Sequence, residues 1–191
     1  MQIILFLQIT DEQYVAGRGW GGAALDVCPF HPQGGCSVRR HGSYPRVRPA
    51  GTRVARFWCA LARQSISLLP VFLASRLSGT LDELESAVLA RERSVSVAAA
   101  IEAVRPSDRD DAIADPKAAG QWLRRRTRSV AEALLAIVTL VPERLMGCTP
   151  TVVALRAHLG TEHVLMELRR LAEAYLHALG PPLGLCARGG R

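Results

Sequence analysis

A short loop near the N-terminus carries three side chains of the types that bind metals. Cys28, His31 and Cys36 follow one another with two and four residues between them, and the prolines and glycines of the loop favour tight turns. Cys59 comes 23 residues after Cys36, at the end of an aromatic, strand-like segment. Zinc prefers four nitrogen or sulfur ligands in a tetrahedron. The sequence therefore predicts one structural zinc ion held by Cys28, His31, Cys36 and Cys59.

The spacing of these ligands is uneven, which leaves an alternative open. A zinc ribbon usually has two knuckles of the C-x2-C type, but Cys59 is followed by Ala60-Leu61-Ala62-Arg63, and the only spare ligand nearby is His41. In the alternative, the metal has been lost and the cysteines pack as small apolar side chains. Cys148 and Cys186 stand alone and are expected to be free thiols.

Positive charge is concentrated in one stretch of the chain. Between Val27 and Leu81 there are eight arginines and no acidic residue, whereas the rest of the chain has 16 basic and 17 acidic residues. Such a stretch is typical of a surface that binds a polyanion, above all a nucleic acid. The alternative is a solvated face in a chain that uses 23 arginines and one lysine. The arginines of this stretch predicted to contact nucleic acid are Arg39, Arg40, Arg46, Arg48, Arg53 and Arg56.

The elements expected to hold the ligands are short strands. Arg53–Cys59 partly alternates between apolar and polar residues, and Ile66-Ser67-Leu68 follows after a turn, which predicts a β-hairpin. Residues 1–9 are a candidate for a further strand. The composition changes near Leu69-Pro70, from Gly, Pro, Arg and Cys to Ala, Leu and Val. This change predicts a domain boundary there.

Helix signals fill the second part of the chain. Thr80 and Glu83 have the capping-box spacing, and Asp115-Pro116 is a favourable start for the longest helix. The predicted helices cover residues 70–77, 81–91, 95–104, 116–140, 150–159 and 162–179.

The expected fold is therefore α+β and mostly α. A small zinc-ribbon-like β-hairpin domain occupies residues 1–69, and an all-α bundle occupies residues 70–191. Within the bundle, residues 81–140 form a candidate tri-helical DNA-binding unit, followed by C-terminal helices in residues 150–179.

The longest predicted helix carries a second basic surface. Arg124, Arg125 and Arg128 lie opposite its apolar face, where guanidinium groups can straddle phosphates, and Gln121 is suited to a base edge. A solvated polar face is the alternative. The link of about eleven residues before this helix is longer than the turn of a standard helix-turn-helix.

The order of several short pieces resembles a known family. The pieces are Cys28-Pro29, Arg40-His41-Gly42-Ser43-Tyr44, Arg53–Cys59 and Ser67-Leu68-Leu69-Pro70. Together they resemble the degenerate zinc-ribbon module of insertion-sequence transposases and of related uncharacterised bacterial proteins, over roughly residues 27–69. The resemblance implies a nucleic-acid-binding element placed before a helix-turn-helix segment. It also implies that Cys28, Cys36 and Cys59 stand at ligand positions, while Arg63 stands near where a last ligand is expected.

No catalytic motif accompanies these binding features. The chain has no Walker loop, G-x-S-x-G, H-E-x-x-H or G-x-G-x-x-G pattern. A nuclease core needs carboxylates on separate strands, whereas the aspartates here fall in one predicted loop, as Asp108, Asp110, Asp111 and Asp115. We therefore expect a protein that is not an enzyme.

Two hypotheses for the function follow. The first is a DNA-binding module related to the recognition region of transposases, without a catalytic core. The alternative is a helical protein-interaction or structural factor whose basic ribbon only aids solubility, and a protein partner or homo-oligomer fits either. Few cysteines, a short apolar N-terminal stretch and no run of 18 apolar residues predict a cytoplasmic protein with no membrane contact.

Overall fold

A computed structural model describes residues 1–104 and 115–186. These residues form four β-strands and eight α-helices, which confirms the predicted α+β class. Two units follow one another along the chain: Met1–Leu73 contains the strands, and Ala74–Arg191 contains six of the described helices. Three aspartates of the predicted polar loop lie outside the described residues, namely Asp108, Asp110 and Asp111.

The first unit is built on a mixed four-stranded sheet. Its strands are β1 (Gln2–Leu5), β2 (Val38–Pro45), β3 (Arg53–Cys59) and β4 (Gln64–Pro70), in the spatial order β1-β4-β3-β2. The pairs β2–β3 and β3–β4 are antiparallel, and β1 pairs with β4 in parallel. The hairpin expected from the sequence is thus the centre of a larger sheet.

Two parts of this unit were not predicted. The strand β2 does not alternate, because three polar residues and a glycine fill its middle, and it pairs on one side only. Two short helices, α1 (Asp11–Ala16) and α2 (Gly19–Gly22), follow β1. Thr10 and Gln13 form a capping box at the start of α1, which is a local signal for a helix in the sequence.

The predicted helix at residues 70–77 is wrong. Pro70 is instead the last residue of β4, and the backbone N–H of Val71 continues the extended path by donating to the carbonyl of Leu5 at 2.9 Å. Because β3 and β4 pair only as far as Leu68, the missing N–H of Pro70 removes no bond from that ladder.

The second unit is helical. Its helices are α3 (Leu81–Arg93), α4 (Val97–Val104), α5 (Pro116–Leu140), α6 (Pro142–Leu145), α7 (Val152–Leu159) and α8 (Val164–Leu171), with a 3-10 turn at Glu173–Tyr175. The prediction that the last helix runs to Leu179 is wrong, because the chain leaves the helix at Ala172 and Tyr175 is exposed. None of the described helices combines the length and the apolar character needed to cross a membrane.

The three helices of the predicted DNA-binding unit pack on one another. Ala87 of α3, Ala100 of α4 and Leu123 of α5 are buried in one small apolar cluster, and Trp122 lies partly buried at its side. The hydroxyl of Ser96 accepts the capping bond at the start of α4, from the backbone N–H of Ala99 at 3.1 Å. Residues 81–104 and 115–140 therefore share an apolar core. This packing does not by itself indicate a ligand.

Two carboxylates of α3 cap the helices that follow. Glu85, which is only 2% exposed, accepts from the backbone N–H of Leu165 at 2.9 Å. Glu92 accepts from the N–H groups of Val152 and Val153 at 3.0 and 2.9 Å. Since the first N–H groups of a helix have no partner within it, these acids satisfy the starts of α7 and α8.

A third acid of α3 gives a testable pH effect. Asp82 holds the Nδ1 atom of His163 at 3.0 Å, and this hydrogen bond and charge raise the pKa of His163, with smaller contributions from Glu85 and Glu162. A raised folded-state pKa stabilises the protein below the ordinary histidine pKa, and this contribution is lost as the pH rises through the raised value.

We expect Asp82→Asn to lower the pKa of His163 and to remove this part of the pH dependence of stability. An NMR titration of the imidazole protons measures the shift directly. Glu162→Gln is the matched control and should move the pKa of His163 less. Equal shifts in the two variants would contradict the assignment.

Candidate metal centre

Two consecutive turns shape the loop that carries the first ligands. The backbone N–H of His31 donates to the carbonyl of Cys28 at 3.0 Å, and the N–H of Gly34 donates to the carbonyl of His31 at 3.0 Å. Pro29 and Pro32 occupy the second position of these turns, where the fixed φ of proline is favourable. The side chains of Cys28 and His31 are thereby turned towards each other.

Glycine then lets the chain return with Cys36. Gly34 and Gly35 have φ values of +90° and +82°, a region that other residues rarely adopt. No heavy atom lies within 4 Å of a Cβ built at either position, so the backbone conformation and not crowding requires glycine here. The loop therefore delivers three ligands to one point within nine residues, Cys28 to Cys36.

The fourth ligand comes from the sheet. Cys59 is the last residue of β3 and is fully buried, and its Sγ accepts from the backbone N–H of Ala62 at 3.4 Å. The turn after β3 thus resembles a knuckle with one cysteine, and Arg63, at φ +51°, is exposed at its end.

The ligand atoms of Cys28, His31, Cys36 and Cys59 all lie within 4.8 Å of one another, close enough to hold a metal ion. Zn–S distances of about 2.3 Å and Zn–N distances of about 2.0–2.1 Å place sulfur and nitrogen about 3.6 Å apart in a tetrahedral site. The Nδ1 atom of His31 is 3.6 Å from the Sγ of Cys28 and 3.6 Å from the Sγ of Cys59. The donor set and its spacing therefore fit zinc.

The charges of the cluster also suit a divalent cation. Burial opposes ionisation of Cys28, but hydrogen bonds from His31, Cys36 and the N–H of Phe30 outweigh it and lower the pKa of Cys28 to about 6. Burial, together with the neighbouring Cys28 and Cys59 sulfurs, raises the pKa of Cys36 to about 12. A charge on Cys28 thus opposes ionisation of Cys36, and a bound cation would remove that conflict.

The cluster joins the loop to an apolar layer under the sheet. Cys28 and Cys59 are buried with Phe57, Ile66 and Leu68, which project from one face of β3 and β4. Further apolar side chains pack around this layer, among them Trp20, Leu25, Phe30 and Cys36. A metal at the cluster would therefore fix the loop against the core of the first unit.

His41 is not part of this cluster. Its ring lies beside Trp58 instead, with the ring centroids 6.1 Å apart. Cys148 and Cys186 also lie outside the cluster and are half-buried, and neither forms a disulfide within the part of the chain that the structure describes, as expected from the sequence.

The predicted nucleic-acid contacts in the first unit divide into bracing and exposed arginines. Arg40 donates to the carbonyl oxygens of Trp20 and Ala23 and lies over the ring of Phe57, so it braces the sheet. Arg53 donates to the hydroxyl and carbonyl of Ser43, both at 2.9 Å. Arg46 and Arg48 are half-buried in the segment that joins β2 to β3. Arg39 on β2 and Arg56 on β3 are exposed.

The predicted contacts in the second unit share the exposed side of α5. Gln121, Arg124, Arg125 and Arg128 are all exposed, opposite the buried Leu123. The Nε atom of Arg125 donates to the carbonyl of Gln121 at 3.4 Å, and Arg128 forms an ion pair with Glu132 at 3.0 Å. The structure thus exposes these four residues on one side of α5, while their contact with nucleic acid stays a prediction.

No family model, curated protein or solved structure matches the chain.

Proposed function

We propose that residues 1–73 form a zinc-stabilised module that binds DNA, and that the protein has no catalytic core of its own. The observation that carries the proposal is the cluster of Cys28, His31, Cys36 and Cys59 beside a sheet whose charged side chains are all basic. From Val27 to Leu73 the chain has seven arginines and no acidic residue. A basic surface of this kind attracts the phosphates of nucleic acids.

Several guanidinium groups in this unit remain available for phosphates. Arg39 and Arg63 are exposed, and their side chains make no hydrogen bond or ion pair with any described residue. Arg56 is exposed as well, although it donates to the hydroxyl of Ser65 at 3.0 Å. The order of motifs that resembles the transposase zinc ribbon supports the same function.

The basic side of α5 belongs to the proposal as a second contact. A helix such as α5 can enter the major groove of DNA, whereas a glycine-rich loop such as the one around Gly34 and Gly35 usually cannot. We therefore expect substitution of Arg124, Arg125 and Arg128 to change sequence preference more than overall affinity. The arginines of the first unit should control affinity itself.

The test is the salt dependence of DNA binding by the double variant Arg39→Gln, Arg63→Gln. Each lost phosphate contact should lower the slope of log K against log salt by about one unit, so the variant should bind more weakly and with a flatter slope. Fluorescence anisotropy on labelled DNA measures both quantities.

The matched control is Arg93→Gln, Arg144→Gln, which removes the same charge from exposed positions of the second unit. It should leave the slope nearly unchanged. If both double variants behave alike, the basic stretch is a solvated face. If the unaltered protein fails to bind DNA even at low salt, the proposal fails and the protein-interaction hypothesis replaces it.

A further inference from the structure

The two faces of the sheet in the first unit differ in chemistry. Side chains of one face, among them Phe57, Ile66 and Leu68, lie in the apolar layer beside the metal cluster. Residues paired across strands share a face, so Trp58 stands on the opposite face with its partners Arg39 of β2 and Ser65 of β4. Trp58 does not belong to the apolar layer and remains partly exposed.

Basic side chains surround this indole ring. Arg39 is its direct neighbour across β2, and Arg56 stands two residues before it on the same strand face. The hydroxyl of Ser65, also opposite Trp58, accepts from the Nη2 atom of Arg56 at 3.0 Å and so holds that guanidinium beside the ring. We call Arg39, His41, Arg56 and Trp58 the Trp58 face.

A bulge adds the fourth member. The register of β2 and β3 shifts between Arg40 and Ser43, which leaves His41 and Gly42 outside regular pairing. Gly42 has a φ of +85°, which β-branched and bulky residues avoid. The bulge changes the direction of the His41 side chain. The ring centroids of His41 and Trp58 are 6.1 Å apart, and the two ring planes make an angle of 42°.

We infer that the Trp58 face binds single-stranded DNA by stacking unpaired bases on Trp58, with Arg39 and Arg56 on the adjacent phosphates. This inference rests on the proposed function and names its substrate class. A partly exposed ring on a sheet, flanked by guanidinium groups and free of acids, is the combination that binds single strands. In a duplex the bases are stacked on one another, so their faces cannot reach a ring on a flat sheet.

Other occupants fit the Trp58 face less well. A protein partner would have to offer acidic groups to the arginines and a separate apolar group to Trp58. A single strand of nucleic acid offers phosphates to the arginines and bases to the ring from one repeating unit. Base stacking does not involve the 2′-hydroxyl, so binding to DNA needs no further group. Binding of the matching RNA is measured in the same experiment as binding of the DNA.

The experiment measures binding of a labelled thymidine oligonucleotide of about twelve residues to the full chain with its metal. We expect Trp58→Ala to weaken binding by about tenfold to a hundredfold and to leave the salt slope unchanged, because no phosphate contact is lost. Trp58→Phe keeps an aromatic ring at this position and should retain most of the affinity of the unaltered protein. Zinc content is measured for each variant as a check that the fold is retained.

Tryptophan fluorescence gives a second readout that does not depend on a destabilising change. The chain has three tryptophans, at positions 20, 58 and 122. Saturation with the oligonucleotide should quench part of the emission in the unaltered protein. Trp58→Phe should abolish this quenching, whereas the matched control Trp122→Phe should retain it.

The outcomes separate this inference from the proposed function. Binding that responds to Arg39→Gln, Arg63→Gln but not to Trp58 substitution would overturn the inference and leave the function standing. Equal affinity for a duplex, or tighter binding of the matching RNA, would also overturn it. An absence of binding to any nucleic acid would overturn both.

Discussion

Removal of zinc is expected to unfold residues 1–73 while most of the helical signal remains. The four ligands join a loop without regular secondary structure to the end of β3, and the apolar layer beneath them includes two of the ligands themselves. In small metal domains the binding free energy of the metal is also folding free energy. The loss of the metal should therefore remove the cooperative transition of this unit.

The measurement combines metal analysis with thermal unfolding, before and after a chelator. Unaltered protein purified without a histidine tag should contain close to one zinc per chain, and less than about 0.2 would contradict a structural site. The chelator should change tryptophan emission more than the far-ultraviolet dichroism, because the long helices belong to the second unit.

A single substitution should reproduce this effect. Cys59→Ser removes a buried sulfur atom of the cluster and should abolish zinc binding, whereas Cys148→Ser changes a thiol outside the cluster and should retain it. His31→Cys keeps four nitrogen or sulfur donors and should still bind zinc. Full zinc content in Cys59→Ser would show that Cys59 is not a ligand.

The second large effect is expected from Glu85→Ala in the second unit. Glu85 is nearly fully buried and holds both the N–H of Leu165 and the guanidinium of Arg156, the latter at 3.1 Å. Its removal leaves a buried N–H without its acceptor and weakens the pairing of Arg156. We expect a loss of about 3–5 kcal/mol in the free energy of unfolding, measured with denaturant.

Glu92→Ala is the matched control, because Glu92 caps α7 in the same way but is exposed. It should cost only about 0.5–2 kcal/mol, as is usual for a lost helix cap. Equal costs for the two variants would show that burial does not govern the role of Glu85.

The pH dependence of Glu85→Gln tests the same carboxylate. Burial raises the pKa of Glu85, although the bonds from Leu165, Val164 and Arg156 act in the opposite direction. A raised folded-state pKa makes the carboxyl more stabilising at low pH, and this contribution is lost as the pH rises through the raised value. The stability deficit of Glu85→Gln should therefore shrink as the pH rises from the ordinary glutamate pKa through the raised pKa of Glu85.

Local signals in the sequence were sufficient for part of this fold. The capping box of Thr80 and Glu83, the Asp115 cap before Pro116 and the end of α7 at Gly160 each depend on residues within one turn. The four residues of the cluster were also found from spacing, because few other residues near the loop can bind a metal, and the structure brings them together. In these places the residues that decide the structure are neighbours in the chain.

The rest depends on residues that are distant in sequence. The parallel pairing of β1 with β4, which draws Pro70 into a strand, joins segments more than 60 residues apart. Glu85 and Glu92 cap helices that begin 60 to 80 residues later. His41 joins the Trp58 face only because the bulge in β2 places its ring next to Trp58. None of these contacts leaves a periodic pattern for sequence analysis to detect.

The bulge in β2 also bears on aggregation. β2 ends the sheet, so its outer backbone groups are a template for a strand from another molecule. A second copy that added there edge to edge would meet an interrupted ladder at His41 and Gly42, and it would bring Arg39 and Arg40 against like charges. The irregular strand thus disfavours the addition of a fifth strand, and with it fibre-like growth, at this edge of the sheet.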